Sequence, residues 1–195
     1  MILYLHGFRS SPKSFKARLL AERMQLLGLA SDYLCPQLPA SPAAAIALAQ
    51  DVIKGGDPAG LTLIGSSLGG YYATWLAEQT GCRAVLLNPA VKPPRDLEKY
   101  VGVSTQYHSD EPFEFKREYM AQLQALQIDA ITQPQRYFLI AATGDDVLDW
   151  REMVGHYPHA RQQVIQGSDH GISEFADYAD QVLAFCGVTI SGPAA

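Results

Sequence analysis

Leu61-Thr62-Leu63-Ile64-Gly65-Ser66-Ser67-Leu68-Gly69-Gly70 is the stretch whose reading decides the fold. A short, β-prone apolar run stops at a glycine, and a helix-like run over residues 68–79 follows, ending at Gly81. The G-x-S-x-G spacing centres on Ser67, not Ser66. A serine on a sharp strand-to-helix turn has a strained backbone, so its neighbours two residues away must be small to let the chain pass. Gly65 and Gly69 meet that need. A Walker-type phosphate cradle would require Lys before Ser or Thr, and there is none here. The stretch therefore predicts a nucleophile elbow with an exposed serine hydroxyl.

Working outward, strand-like and helix-like segments alternate. Apolar β-rich runs occupy residues 2–5, 33–35, 61–64, 84–87, 137–141 and 163–165. Helical patterns occupy residues 15–27, 42–53, 68–79 and 173–185. In the first helix Phe15, Leu19, Leu20, Met24 and Leu27 form the apolar stripe, with Lys16, Arg18, Glu22 and Arg23 off it. Ser41 is placed to cap the second helix, and the 191–195 tail reads as frayed. The alternation predicts one α/β domain with a largely parallel sheet flanked by helices. Residues 89–134 break the rhythm with prolines, scattered aromatics and one helical stretch at 114–126. No strand is expected there, and an insertion this long reads as a cap.

A serine hydroxyl needs a base to take its proton and an acid to orient that base. On the scaffold that carries such an elbow the chain order is nucleophile, acid, base, with the last two in loops after late strands. His170, in Gly167-Ser168-Asp169-His170-Gly171, follows the last strand and is the expected base. His108, His156 and His159 precede that strand and read as loop or surface residues. The acid should follow the strand at 137–141, where the chain reads Thr143-Gly144-Asp145-Asp146-Val147-Leu148-Asp149. Asp145, directly after the turn glycine, is the first choice and Asp146 the second. Asp149 reads as a helix cap and Asp169 as a solvated loop residue.

Charge that develops on the carbonyl oxygen needs donors, usually two backbone N–H groups. Leu68, just after the nucleophile, supplies one, and Phe8, in the His6-Gly7-Phe8 loop after the first strand, supplies the other. Gly7 permits close approach of the substrate, and His6 holds this loop beside the substrate rather than moving a proton. In the insertion, Tyr100, Tyr107, Phe113, Phe115 and Tyr119 either wall an acyl pocket or pack the insertion onto the sheet. With His6 and Gly7, Phe113 and Phe115 are the candidate substrate contacts.

The chain has 195 residues, 48% hydrophobic and 18% charged, with a net charge of −5. It has no basic run to neutralise phosphates, so no nucleic-acid partner is expected. No apolar stretch approaches the ~20 residues of a membrane span, and the opening Met1-Ile2-Leu3-Tyr4-Leu5 reads as a strand rather than a leader. Cys35, Cys82 and Cys186 are too scattered for a disulfide framework and suit a reducing cytoplasm. No metal-ligand spacing occurs, so neither metal nor cofactor is expected. A monomer or weak dimer is expected.

With these residues in hand, the chain resembles the α/β-hydrolase superfamily, and within it the small YqiA-like bacterial esterases. The segments that carry the likeness are Tyr4-Leu5-His6-Gly7-Phe8-Arg9-Ser10-Ser11-Pro12, Cys35-Pro36-Gln37-Leu38-Pro39, Ile64-Gly65-Ser66-Ser67-Leu68-Gly69-Gly70-Tyr71-Tyr72-Ala73 and Leu87-Asn88-Pro89-Ala90. The Thr143–Asp149 run and the Asp169-His170 loop complete them. The resemblance implies an α/β-hydrolase fold whose sheet starts at the oxyanion-loop strand. It also implies cleavage of a small carboxylic ester or thioester by Ser67, Asp145 and His170 without a cofactor. A triad enzyme acting on amide or C–C bonds, or a binding protein on the same scaffold, are the alternatives.

Overall fold

Thr62–Ser66 and Arg83–Leu87 are apolar at most positions, as strands covered on both faces must be. In the computed structural model, which describes residues 1–107 and 112–190, they lie at the middle of a six-stranded parallel sheet. In chain order the elements are β1 (Ile2–Leu5), α1 (Phe15–Leu26), β2 (Tyr33–Leu34), α2 (Pro42–Ile53), β3 (Thr62–Ser66), α3 (Leu68–Thr80), β4 (Arg83–Leu87) and α4 (Pro93–Leu97). There follow β5 (Gly102–Thr105), β6 (Pro112–Phe115), α5 (Tyr119–Ala125), β7 (Tyr137–Ala142), α6 (Trp150–His156), β8 (Arg161–Ile165) and α7 (Ala179–Phe185). The sheet order is β2-β1-β3-β4-β7-β8. From β1 the chain steps to one side, and from β3 onward it builds to the other. The crevice beyond the carboxyl ends of β1 and β3 is thus a topological switch point, the usual ligand position in open α/β sheets.

Helices cover both faces and make two cores. On one face Ala45, Ile46 and Ala49 of α2, Leu76 of α3, Leu123 of α5 and Met153 of α6 pack on Leu3, Leu63 and Leu139. On the other, Leu20 and Met24 of α1 and Val182 and Leu183 of α7 pack on Tyr4, Ile64, Val85 and Ile140. Local signals set the helix ends. Ser41 Oγ accepts from the Ala44 N–H ahead of Pro42, and Gly81 ends α3 in the left-handed region at φ 82°.

Three expectations change. Residues 102–105 and 112–115 form an antiparallel two-stranded ribbon where no strand was expected. Its signal is the alternation Phe113-Glu114-Phe115-Lys116, in which both rings face inward and the charges face out; the helix begins only at Tyr119. The buried face of α1 is Lys16, Ala17, Leu20 and Met24, while Phe15 is 47% exposed. The expected stripe is thus rotated, because Phe15 and Lys16 at the helix start belong to a cleft rather than to the core. The helix expected at 173–185 is a 3-10 turn (Phe175–Asp177) followed by α7, since Ser173 is bonded to Asp169 in the preceding loop. The 191–195 tail lies outside the described residues.

Candidate active site

Ser67 sits between β3 and α3 with φ 54° and ψ −120°, a conformation a non-glycine residue adopts only under constraint. Its N–H donates to the Leu87 carbonyl at 3.0 Å, and its carbonyl accepts from Gly70 at 2.9 Å and Ala90 at 3.0 Å. The elbow is therefore bolted to the end of β4. A methyl group on Gly65 would lie 2.3 Å from the Gly69 carbonyl oxygen, and one on Gly69 would lie 1.9 Å from that of Leu5. Both positions must be glycine for the turn to fit against β1.

His170 Nε2 lies 3.1 Å from Ser67 Oγ, and His170 Nδ1 lies 2.7 Å from Asp145 Oδ2. The Asp145 side chain is fully buried and its other oxygen accepts from the Val147 and Leu148 N–H groups at 2.8 and 2.9 Å. A carboxylate held this way favours the tautomer with the proton on Nδ1, which leaves Nε2 facing the serine hydroxyl as an acceptor. Asp146 is exposed, Asp149 caps α6 through the Arg151 N–H, and Asp169 is bonded to Ser173. That last contact holds the Asp169 carboxyl below its usual range. His156 is packed edge-on against Tyr157, with burial lowering its pKa, and His159 is exposed in a turn. His108 lies outside the described residues.

Gly7 to Ser10 form a tight turn closed by the Ser10 N–H on the Gly7 carbonyl at 3.1 Å, which leaves the Phe8 N–H outside the turn's own bond. Leu68 is the first residue of α3, so its N–H has no acceptor within the helix. Phe8, Leu68, Ser67 and His170 all line one cavity of about 360 Å³. Its mouth carries Phe15, Tyr107 and Val147, which are 47%, 66% and 57% exposed.

Three expected substrate contacts lie elsewhere. Phe113 and Phe115 do not reach this wall. They stand edge-on against Phe8, with ring centres 5.1 and 4.9 Å away, and Phe115 is fully buried. The ribbon places both rings behind Phe8, so they pack the insertion and Tyr100 and Tyr107 take the wall. His6 is 4% exposed, and its Nε2 accepts from the Leu38 N–H at 2.9 Å. It ties the loop after β1 to residue 38 and does not face the cavity. Gly7 does line it, its backbone pressed against Ser67 and Ser66.

Two further residues have roles that no sequence pattern assigns. Asn88, fully buried, accepts from the Ala142 N–H at 2.8 Å and donates through Nδ2 to the Asp169 and His170 carbonyls at 3.0 and 3.1 Å. One side chain thus joins the ends of β4 and β7 to the histidine loop. Lys16 donates to the Gly171 carbonyl at 2.7 Å, and burial pushes its pKa down to about 8 against the pull of Asp169 and Asp145. Among the described residues no three His, Cys, Asp or Glu side chains converge as a metal site, and no helix is long and apolar enough to cross a membrane.

A family model described as "Uncharacterised protein family (UPF0227)" matches residues 1–187. Solved structures resemble the whole chain. A protein of Agrobacterium vitis S4 superposes with a TM-score of 0.75 at 19% identity, covering 95% of this chain and 87% of that one. Est1E from Butyrivibrio proteoclasticus with ferulic acid bound gives 0.71 at 14%, covering 94% and 86%. Mouse alpha/beta hydrolase domain-containing protein 10 gives 0.67 at 16%, covering 95% and 86%. At such identities the likeness is one of fold.

Proposed function

The chain belongs to family UPF0227 and has the α/β-hydrolase fold, and on that footing we propose that it is a serine hydrolase of a small carboxylic ester or acyl-thioester. The observation that carries the proposal is the unbroken line from Asp145 through His170 to Ser67, opening into a cavity that Phe8 and Leu68 also line. Ser67 Oγ attacks the carbonyl carbon while His170 Nε2 takes its proton. Asp145 holds the resulting imidazolium. The Phe8 and Leu68 N–H groups receive the negative charge on the carbonyl oxygen. His170 then protonates the leaving alcohol or thiol, the C–O or C–S bond breaks, and an acyl-Ser67 remains. A water molecule deprotonated by the same histidine hydrolyses it, returning the serine proton and releasing the acid.

The apolar mouth suits an acyl chain, and residues 89–134 serve as the cap that supplies Tyr100 and Tyr107 to it. Replacing the nucleophile removes the covalent route. Ser67→Ala lowers kcat by about 10³-fold or more and abolishes labelling by a fluorophosphonate probe. Full activity in that variant overturns the assignment. A panel of acyl esters, acyl-thioesters and amides separates the proposed reaction from amide cleavage. Inertness on all of them without labelling leaves a binding protein.

A further inference from the structure

Among the described residues, Lys16 is a buried cation with no anion beside it. It is 8% exposed, and it donates to a neutral carbonyl, that of Gly171, at 2.7 Å. Among the described residues no carboxylate lies within ion-pair distance of its Nζ, although charges this deeply buried are normally paired. The nearest acidic groups are committed elsewhere. Asp145 is held by His170, Val147 and Leu148, and Asp169 by Ser173.

Two more polar groups lie at the same corner. The Tyr4 hydroxyl, on a fully buried side chain, and Ser14 Oγ are both buried and face each other and Ser66, but neither reaches good hydrogen-bond geometry. Tyr4, Ser14 and Lys16 line the same cavity as Ser67 and His170. Ser14 precedes α1 without capping it, and the first turn of α1 holds no acidic side chain. The positive end of that helix therefore adds to the lysine charge. The rest of the cavity is mostly apolar but also carries Lys99 and Asp96, whose carboxylate is paired with Arg95, so this corner is a cationic part of the cleft rather than its whole charge.

We propose that the Tyr4–Ser14–Lys16 corner is an anion subsite, and that the substrate carries a carboxylate or phosphate near its scissile carbonyl. The inference rests on the hydrolase reading above and narrows its substrate class to an acyl chain or leaving group bearing a negative charge. In the bound state the substrate anion completes the ion pair that the protein leaves open, while Lys16 keeps its bond to Gly171.

The test compares esters matched in size. On the acyl side, mono-4-nitrophenyl succinate is set against 4-nitrophenyl butyrate; on the leaving-group side, 4-acetoxybenzoate is set against 4-acetoxybenzamide. The wild-type protein should prefer the anionic member of at least one pair, and the preferred pair tells which side carries the charge. Lys16→Met should lower kcat/KM for that anionic ester by about 10–100-fold, as loss of a charged hydrogen bond does, with KM taking most of the change. The neutral partner should change by less than about threefold on the same scale. A merely structural lysine moves both alike. Independently of any variant, succinate should inhibit butyrate-ester cleavage by the wild type where butyramide does not, and salt should weaken that inhibition. Equal turnover of both members of both pairs, with Ser67 still labelled by the fluorophosphonate, overturns the subsite and leaves the hydrolase standing. Absence of turnover together with absence of labelling overturns the hydrolase reading itself.

Discussion

Lys16 has a consequence for stability as well as for binding. Its folded pKa of about 8 lies below the ordinary 10.5, so between those values the unfolded chain holds more protons. Stability therefore rises with pH across that window, and below it the buried charge costs about 3 kcal/mol. Lys16→Met removes that cost but leaves the Gly171 carbonyl without its donor. The variant should be as stable as the wild type at pH 7 or more so. Its advantage should shrink by about 2–3 kcal/mol by pH 10, measured by urea unfolding of both proteins at the two pH values. Taking the difference between the two proteins cancels the tyrosines and cysteines that titrate in the same range. Nothing in the sequence marks Lys16 out, because helical periodicity assigns it to the polar side of α1. Asn88 stands in the Leu87–Ala90 segment that carries the family likeness, but nothing there assigns it a role. An asparagine earns meaning only when the ends of β4 and β7 and the 169–170 loop come together around it. Ser67 and its two flanking glycines were legible because a steric requirement at one turn dictates residue types at fixed spacing.

At the scale of elements, the β5–β6 ribbon is the part the sequence concealed. Its strands are four residues each and open on Gly102 and Pro112, two residues that disfavour a strand, so the alternation at 113–116 competed with a helical pattern that begins just after it. The ribbon is fastened at two places. Phe113 and Phe115 press on Phe8, and Arg9 holds its far end. The Arg9 carbonyl accepts from the Tyr107 N–H at 2.9 Å and its Nε donates to the Thr105 carbonyl at 2.6 Å. Phe115→Ala should thus act on packing. The expected loss is about 3–5 kcal/mol in urea unfolding, with unchanged preference across a 4-nitrophenyl ester series of increasing acyl length. A changed preference at unchanged stability would put the Phe115 ring on the pocket wall instead. The parallel strands, by contrast, were read within one or two residues of their ends. Continuous apolar runs between turn glycines leave little else for them to be.

For the molecule as a whole, the two cores on either side of the sheet are built by different helices, and the cleft lies at the seam between them. Lys16 hangs from α1, which belongs to one core, and Ser67 leads into α3, which belongs to the other. A bound molecule that reaches both is a rivet through the sheet's end, so occupancy should be readable far from any chemistry. With succinate at saturating concentration, amide hydrogen exchange should slow in the first turn of α1 and in the β3–α3 turn together, although these segments belong to helices of different cores. Slowing in only one of them would confine the ligand to one side. The protein's backbone amides would in that way serve as a meter of cleft occupancy, usable for screening compounds that are never turned over.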